Sequence, residues 1–69
     1  MKRTEHFTKK EQEIIKLLKY GYKNIDIGKS LDCSPNTIKK YLSNMMVKTN
    51  SKNRVELVYK LYKMGFYNT

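Results

Sequence analysis

Alanine is absent from this chain, cysteine and histidine occur once each, and six acidic side chains stand against fifteen basic ones. Each shortage excludes something. A single cysteine, Cys33, rules out an internal disulfide and fits a reducing compartment. His6 has no second histidine and no cysteine near it, so neither a metal centre nor a catalytic histidine pair is expected. No apolar run approaches the roughly 20 residues that span a bilayer, and the N-terminus lacks the apolar core of a signal peptide. A soluble, cytoplasmic protein is the resulting expectation. The lack of Ala beside abundant Lys, Asn, Ile and Tyr is what an AT-rich coding sequence produces. The shortage of acids leaves a formal net charge of +9, which calls for an anionic partner, nucleic acid first and an acidic membrane surface second.

At 69 residues the chain is one domain. It can wrap three or four helices around a thin core, but it is too short for an enzyme cleft with its own supporting shell. No enzyme, cofactor, metal or small-molecule ligand is expected. A monomer of this size without disulfide or metal is marginally stable, and association with a second copy is the common remedy.

The pattern of the chain is all-α, with four helices. Residues 1–6 read as a frayed basic arm. Thr8 followed by Glu11 is a capping box that opens a first helix over 8–20, with Ile14, Ile15, Leu17 and Leu18 as its buried stripe and Gly21 as its left-handed stop. A short second helix spans 24–31. Gly28 in its interior costs about 1 kcal/mol relative to Ala, which suggests that another backbone passes close by. Ser34 as N-cap and Pro35 at the first helical position then start a third helix over 35–48. On its wheel Ile38, Tyr41, Leu42, Met45 and Met46 fall on one side, and Asn36, Lys39, Lys40 and Ser43 converge on the other. From Cys33 to Val55 there are five basic residues and no acidic one. A short helix, a polar turn and a second helix with a cationic face suit a DNA major groove. After a polar link over 49–53, a fourth helix is expected over 52–64, closed by Gly65 with Phe66 packing back. It carries more apolar residues than one buried stripe can hide, so one side should cover the core and the other a partner molecule.

From Phe7 to Gly65 the sequence resembles the LuxR-type domain of bacterial transcription regulators, also called GerE- or FixJ-type. The matching positions are Phe7-Thr8, Glu11, Glu13, Ile14, Leu17, Leu18, Gly21, Asn24, Ile27, Leu31, Ser34, Thr37, Ile38, Lys39, Asn44, Lys48 and Arg54. Their order and spacing over nearly the whole chain make the resemblance specific, and imply a free-standing effector domain similar to small sporulation regulators of the GerE type, of bacterial or phage origin. Departures occur at Gly28, where the family usually has Ala; at Tyr41, in place of His; at Lys23, in place of a Ser or Thr cap, leaving Asn24 as the expected cap; and at Thr49, Asn50 and Ser51, in place of Leu-Gly-Val.

The resemblance implies a homodimer on an inverted-repeat site in double-stranded DNA, with the third helix reading bases through Lys39, Lys40 and Ser43. The wheel places the same residues, with Asn36, on the exposed face. Lys donates to guanine O6 and N7, and Ser serves several bases. Ser34 and Thr37 at the start of the third helix, Lys23 and Asn24 at the start of the second, and Tyr41 and Lys48 are the candidate phosphate contacts. Val55, Val58, Tyr59 and Tyr62 are the candidate dimer interface, because the fourth helix of the family pairs with its symmetry mate. Cys33, at a position usually Ile or Val, reads as a small buried hydrophobe. The alternative is a small interaction protein whose fourth helix binds a larger regulator or a subunit of RNA polymerase. An RNA-binding module is disfavoured by the apparent lack of paired exposed aromatics.

Overall fold

The computed structural model describes residues 7–67. Within them lie α1 (Lys9–Leu18), α2 (Asn24–Leu31), α3 (Pro35–Thr49) and α4 (Arg54–Lys63), and no strand. The expected arm over 1–6, with His6, lies outside the described residues.

Local chemistry sets the helix ends. Thr8 Oγ1 accepts from the Glu11 N–H at 3.1 Å while Glu11 Oε1 accepts from the Thr8 N–H at 2.9 Å, so the capping box forms. α1 stops at Leu18, two residues before the expected Tyr20, and Gly21 adopts φ +74°. Ser34 Oγ accepts from the Thr37 N–H at 3.2 Å, with Pro35 in the first turn. α3 runs one residue further than expected, to Thr49, and ends on Asn50 at φ 55°. α4 is shorter than the expected 52–64: Asn53 is its N-cap, and its side chain accepts from the Glu56 N–H at 2.8 Å. Gly65 at φ +91° closes it, with the Phe66 N–H reaching back to the Leu61 carbonyl at 3.1 Å. The cap of α2 departs from expectation. Lys23, not Asn24, occupies the N-cap and makes no side-chain cap bond.

The core draws on every helix: Phe7, Ile14, Ile15, Leu18, Ile27, Ile38, Leu42, Met45, Leu57 and Leu61 are buried. Each such side chain contributes roughly 1.5–3 kcal/mol by leaving water. Leu17, Tyr41 and Met46 lie at its margin, half-buried, rather than inside. Between α2 and α3 the chain turns through Asp32, a left-handed residue at φ 57°. The turn folds so tightly over α2 that a Cβ at Gly28 would stand 2.4 Å from the Cys33 carbonyl oxygen. The close backbone expected at Gly28 is therefore that of the turn itself. Cys33 is half-buried, its Sγ 3.4 Å from the Leu31 carbonyl.

The last described residues return to the first helix. Phe66 meets Phe7 edge-on, with centroids 5.5 Å apart, and the Tyr67 hydroxyl donates to the Ile15 carbonyl at 2.6 Å. Burial pushes the Tyr67 phenol up from 10.0 to about 12, because an apolar surrounding disfavours the phenolate. A raised pKa in the folded state means that the contribution is fully present below pH 10.0 and disappears as pH climbs through about 12. Tyr67→Phe should accordingly lower stability by about 1 kcal/mol at neutral pH. The difference between wild type and variant should shrink above pH 10.0 and change sign as pH nears about 12, because a buried phenolate costs more than the hydrogen bond contributes; thermal melts across that range would reveal it. A gap that stayed constant with pH would dissociate the phenol from this stability.

Candidate nucleic-acid interface

Asn36, Lys39, Lys40 and Ser43 are all exposed and, with Asn44, line one shallow open concavity along α3. Their spacing by three and four places them on one helical face, opposite Ile38, Leu42 and Met45, which are buried. The four residues assigned to this face from the wheel are thus brought together, and Asn44 joins them, a residue whose polar side chain and spacing of four from Lys40 were available signals. Among the described residues no carboxylate lines this concavity. Two ammonium groups beside amide and hydroxyl groups can donate to guanine, accept from or donate to other base edges, or grip phosphate.

The candidate phosphate contacts divide. Ser34 is exposed, with its hydroxyl 3.0 Å from that of Thr37, so the polar start of α3 faces outward where helix N–H groups attract anions. Lys23 is exposed at the start of α2. Asn24 is half-buried, and its Oδ1 accepts from Arg54 Nη1 at 2.9 Å while Nη2 of the same guanidinium donates to the Tyr22 carbonyl. Arg54 thus fastens the start of α4 to the start of α2. Tyr41 packs partly against the core. Lys48 is already bonded within the protein: its Nζ is 2.6 Å from Oε1 of Glu11, a carboxylate only 2% exposed, and lies 5.6 Å from the Phe7 ring centroid.

The expected interface on α4 also divides. Val55, Tyr59 and Tyr62 are well exposed, at 79%, 59% and 59%, and their spacing of four and three residues makes one outward stripe. Val58 belongs instead to the inner side, half-buried against the core beside Leu57 and Leu61. The link from α3 to α4, where Thr49, Asn50 and Ser51 depart from the family pattern, is closed by polar bonds. Lys60 Nζ donates to the Thr49 and Asn50 carbonyls at 2.9 and 2.6 Å, and the Thr49 and Ser51 hydroxyls are 2.6 Å apart. One sequence reading needs correcting outright. Paired exposed aromatics do exist: Tyr20 and Tyr22 flank Gly21 with ring centroids 5.6 Å apart.

Among the described residues no cluster of His, Cys, Asp and Glu is arranged to hold a metal, and no helix is long and apolar enough to cross a membrane. Residues 5–61 match the family model described as bacterial regulatory proteins, luxR family. Similar curated proteins include the probable transcriptional regulator ycf29 of Cyanophora paradoxa, 38% identical over 77% of this chain and 25% of that protein. The transcriptional regulatory protein DegU of Brevibacillus brevis is 36% identical over 86% of this chain and 25% of its own length. The monoamine regulon transcriptional regulator of Klebsiella aerogenes is 43% identical over 74% and 22%. The chain therefore spans about a quarter of the length of these relatives. No solved structure gives a significant match. With four helices in the expected order, a polar exposed face on the third, and a family match over most of its length, the chain belongs to the LuxR/GerE family of helix-turn-helix DNA-binding domains of transcription regulators.

Proposed function

We propose that the protein is a sequence-specific transcription regulator that binds double-stranded DNA as a homodimer, with α3 in the major groove of each half of an inverted repeat. The observation that carries this reading is the convergence of Asn36, Lys39, Lys40 and Ser43 on the exposed face of α3, free of any lining carboxylate. The exposed N-terminal caps of α2 and α3 suit the flanking phosphates, with Lys23, Ser34 and Thr37 as contacts. The outward stripe of Val55, Tyr59 and Tyr62 suits a second copy of α4, since a two-fold axis would bring the same stripe to itself. Recognition helices related in that way lie about 34 Å apart, so half-site centres should be about 10 base pairs apart.

The test is a titration of mobility shift and sedimentation on a cognate site found by genome-wide binding. Lys39→Ala or Lys40→Ala should cost about 1–3 kcal/mol where the side chain reads a base, and less selectively where it meets phosphate. Val55→Glu, which touches neither α3 nor the core, should weaken dimerisation and DNA binding together. Wild-type affinity in both lysine variants would refute the face. One protein per site, or unimpaired dimerisation by Val55→Glu, would refute the α4 interface and return that stripe to a larger regulator or a polymerase subunit.

A further inference from the structure

Away from the α3 face, Phe7, Lys48, Thr49, Lys60, Lys63 and Met64 line a concavity of about 340 Å³ where the start of α1 meets the ends of α3 and α4. We propose that this concavity is a binding site for a small soluble amphipathic anion, a carboxylate or sulfonate on a compact apolar body. This inference does not depend on how, or whether, the protein binds DNA.

Three features carry it. The volume lies at the lower end of the roughly 300–1,000 Å³ range of small-molecule sites and suits a ligand of one ring or a short acyl chain. Phe7 and Met64 supply apolar wall, while three lysines line it and, among the described residues, no carboxylate does. Among the described residues, the carboxylate bonded to a lining lysine is that of Glu11, 2% exposed and already held by Lys48. The described residues around the site therefore carry a net positive charge.

The geometry is also fixed beforehand. Lys48 is tied to Glu11 at 2.6 Å, and Lys60 to the carbonyls of Thr49 and Asn50 at 2.9 and 2.6 Å. An ammonium has three N–H donors, so Lys48 retains two beyond its carboxylate bond and Lys60 one beyond its carbonyl bonds. Side chains already ordered lose little further freedom when an anion arrives. Lys63 is exposed and lies over the Tyr59 ring face, 6.0 Å from its centroid. It is the lysine able to close over a bound anion.

Octanoate is the probe, titrated into the isotope-labelled full chain and followed by amide chemical shifts, with 1-octanol as the uncharged control. Saturable shifts should centre on Phe7, Thr49, Lys63 and Met64. Octanol should bind at least about tenfold more weakly, because it lacks the charge-assisted hydrogen bonds. Lys63→Glu should weaken octanoate by about tenfold or more with the rest of the spectrum unchanged, and Lys63→Arg should stay within about threefold. The site is overturned by an absence of saturable shifts, by equal affinity for octanol, by shifts centred on Val55, Tyr59 and Tyr62 instead, or by undiminished binding to Lys63→Glu.

Discussion

Between about 50 and 200 mM salt, the affinity of the proposed dimer for its operator should fall by on the order of 10³. The size of this loss follows from which cations are at liberty. Lys23, Lys39 and Lys40 are exposed on the elements expected to face DNA, whereas Lys48, Lys60 and Arg54 are bonded within the protein. Doubling three cations for two protomers displaces about six counterions, which gives a slope of log affinity against log salt of about −5. Were the bonded three recruited as well, the slope would double and the loss would reach on the order of 10⁶. A binding titration over four salt concentrations distinguishes these cases. A flat response would remove the electrostatic basis for DNA binding altogether.

The second large effect is structural. Lys48→Met should destabilise the fold by about 2–3 kcal/mol, since it leaves the Glu11 carboxylate buried without its counter-charge. The loss is set below the value for a fully enclosed pair because the Lys48 side chain is 36% exposed and water screens part of the attraction. For a chain of this length total stability is about 3–10 kcal/mol, and the melting temperature should drop by roughly 10–20 °C. Removing the carboxylate as well, in Glu11→Met with Lys48→Met, should recover part of the loss, as two well-packed apolar groups leave no orphaned charge. Thermal unfolding of the three variants checks this. Unchanged stability with weakened DNA binding would instead return Lys48 to the phosphate backbone.

Much of the architecture was legible in the sequence because it is written in short-range chemistry. Thr8 with Glu11, Ser34 with Pro35, and Gly21 and Gly65 fix helix ends through groups no more than a few residues apart. The polar face of α3 follows from helical periodicity alone. What escaped depends on distance along the chain. The partner of Lys48 is 37 residues away and that of Arg54 is 30 residues away, and nothing local distinguishes a lysine that braces α1 from one that meets a phosphate. The inward lean of Val58 was hidden for a related reason. A helix rich in apolar residues on two sides does not reveal which side turns inward until Leu57 and Leu61 are seen in the core. At the start of α2, a lysine took the N-cap position that propensity would have given to Asn24, because Arg54 holds the Asn24 side chain from another helix.

The return of Phe66 and Tyr67 to α1 also orders events in time. The contact between Tyr67 and Ile15 joins residues 52 positions apart, so closing it confines nearly the whole described chain in one loop, whereas the turn between α2 and α3 closes over a handful of residues. During synthesis on a ribosome, α2 and α3 can dock while α1 still lacks the aromatic cover over Phe7 and the hydroxyl at Ile15. The nascent domain gains its last lock only when its final aromatic residues clear the exit tunnel.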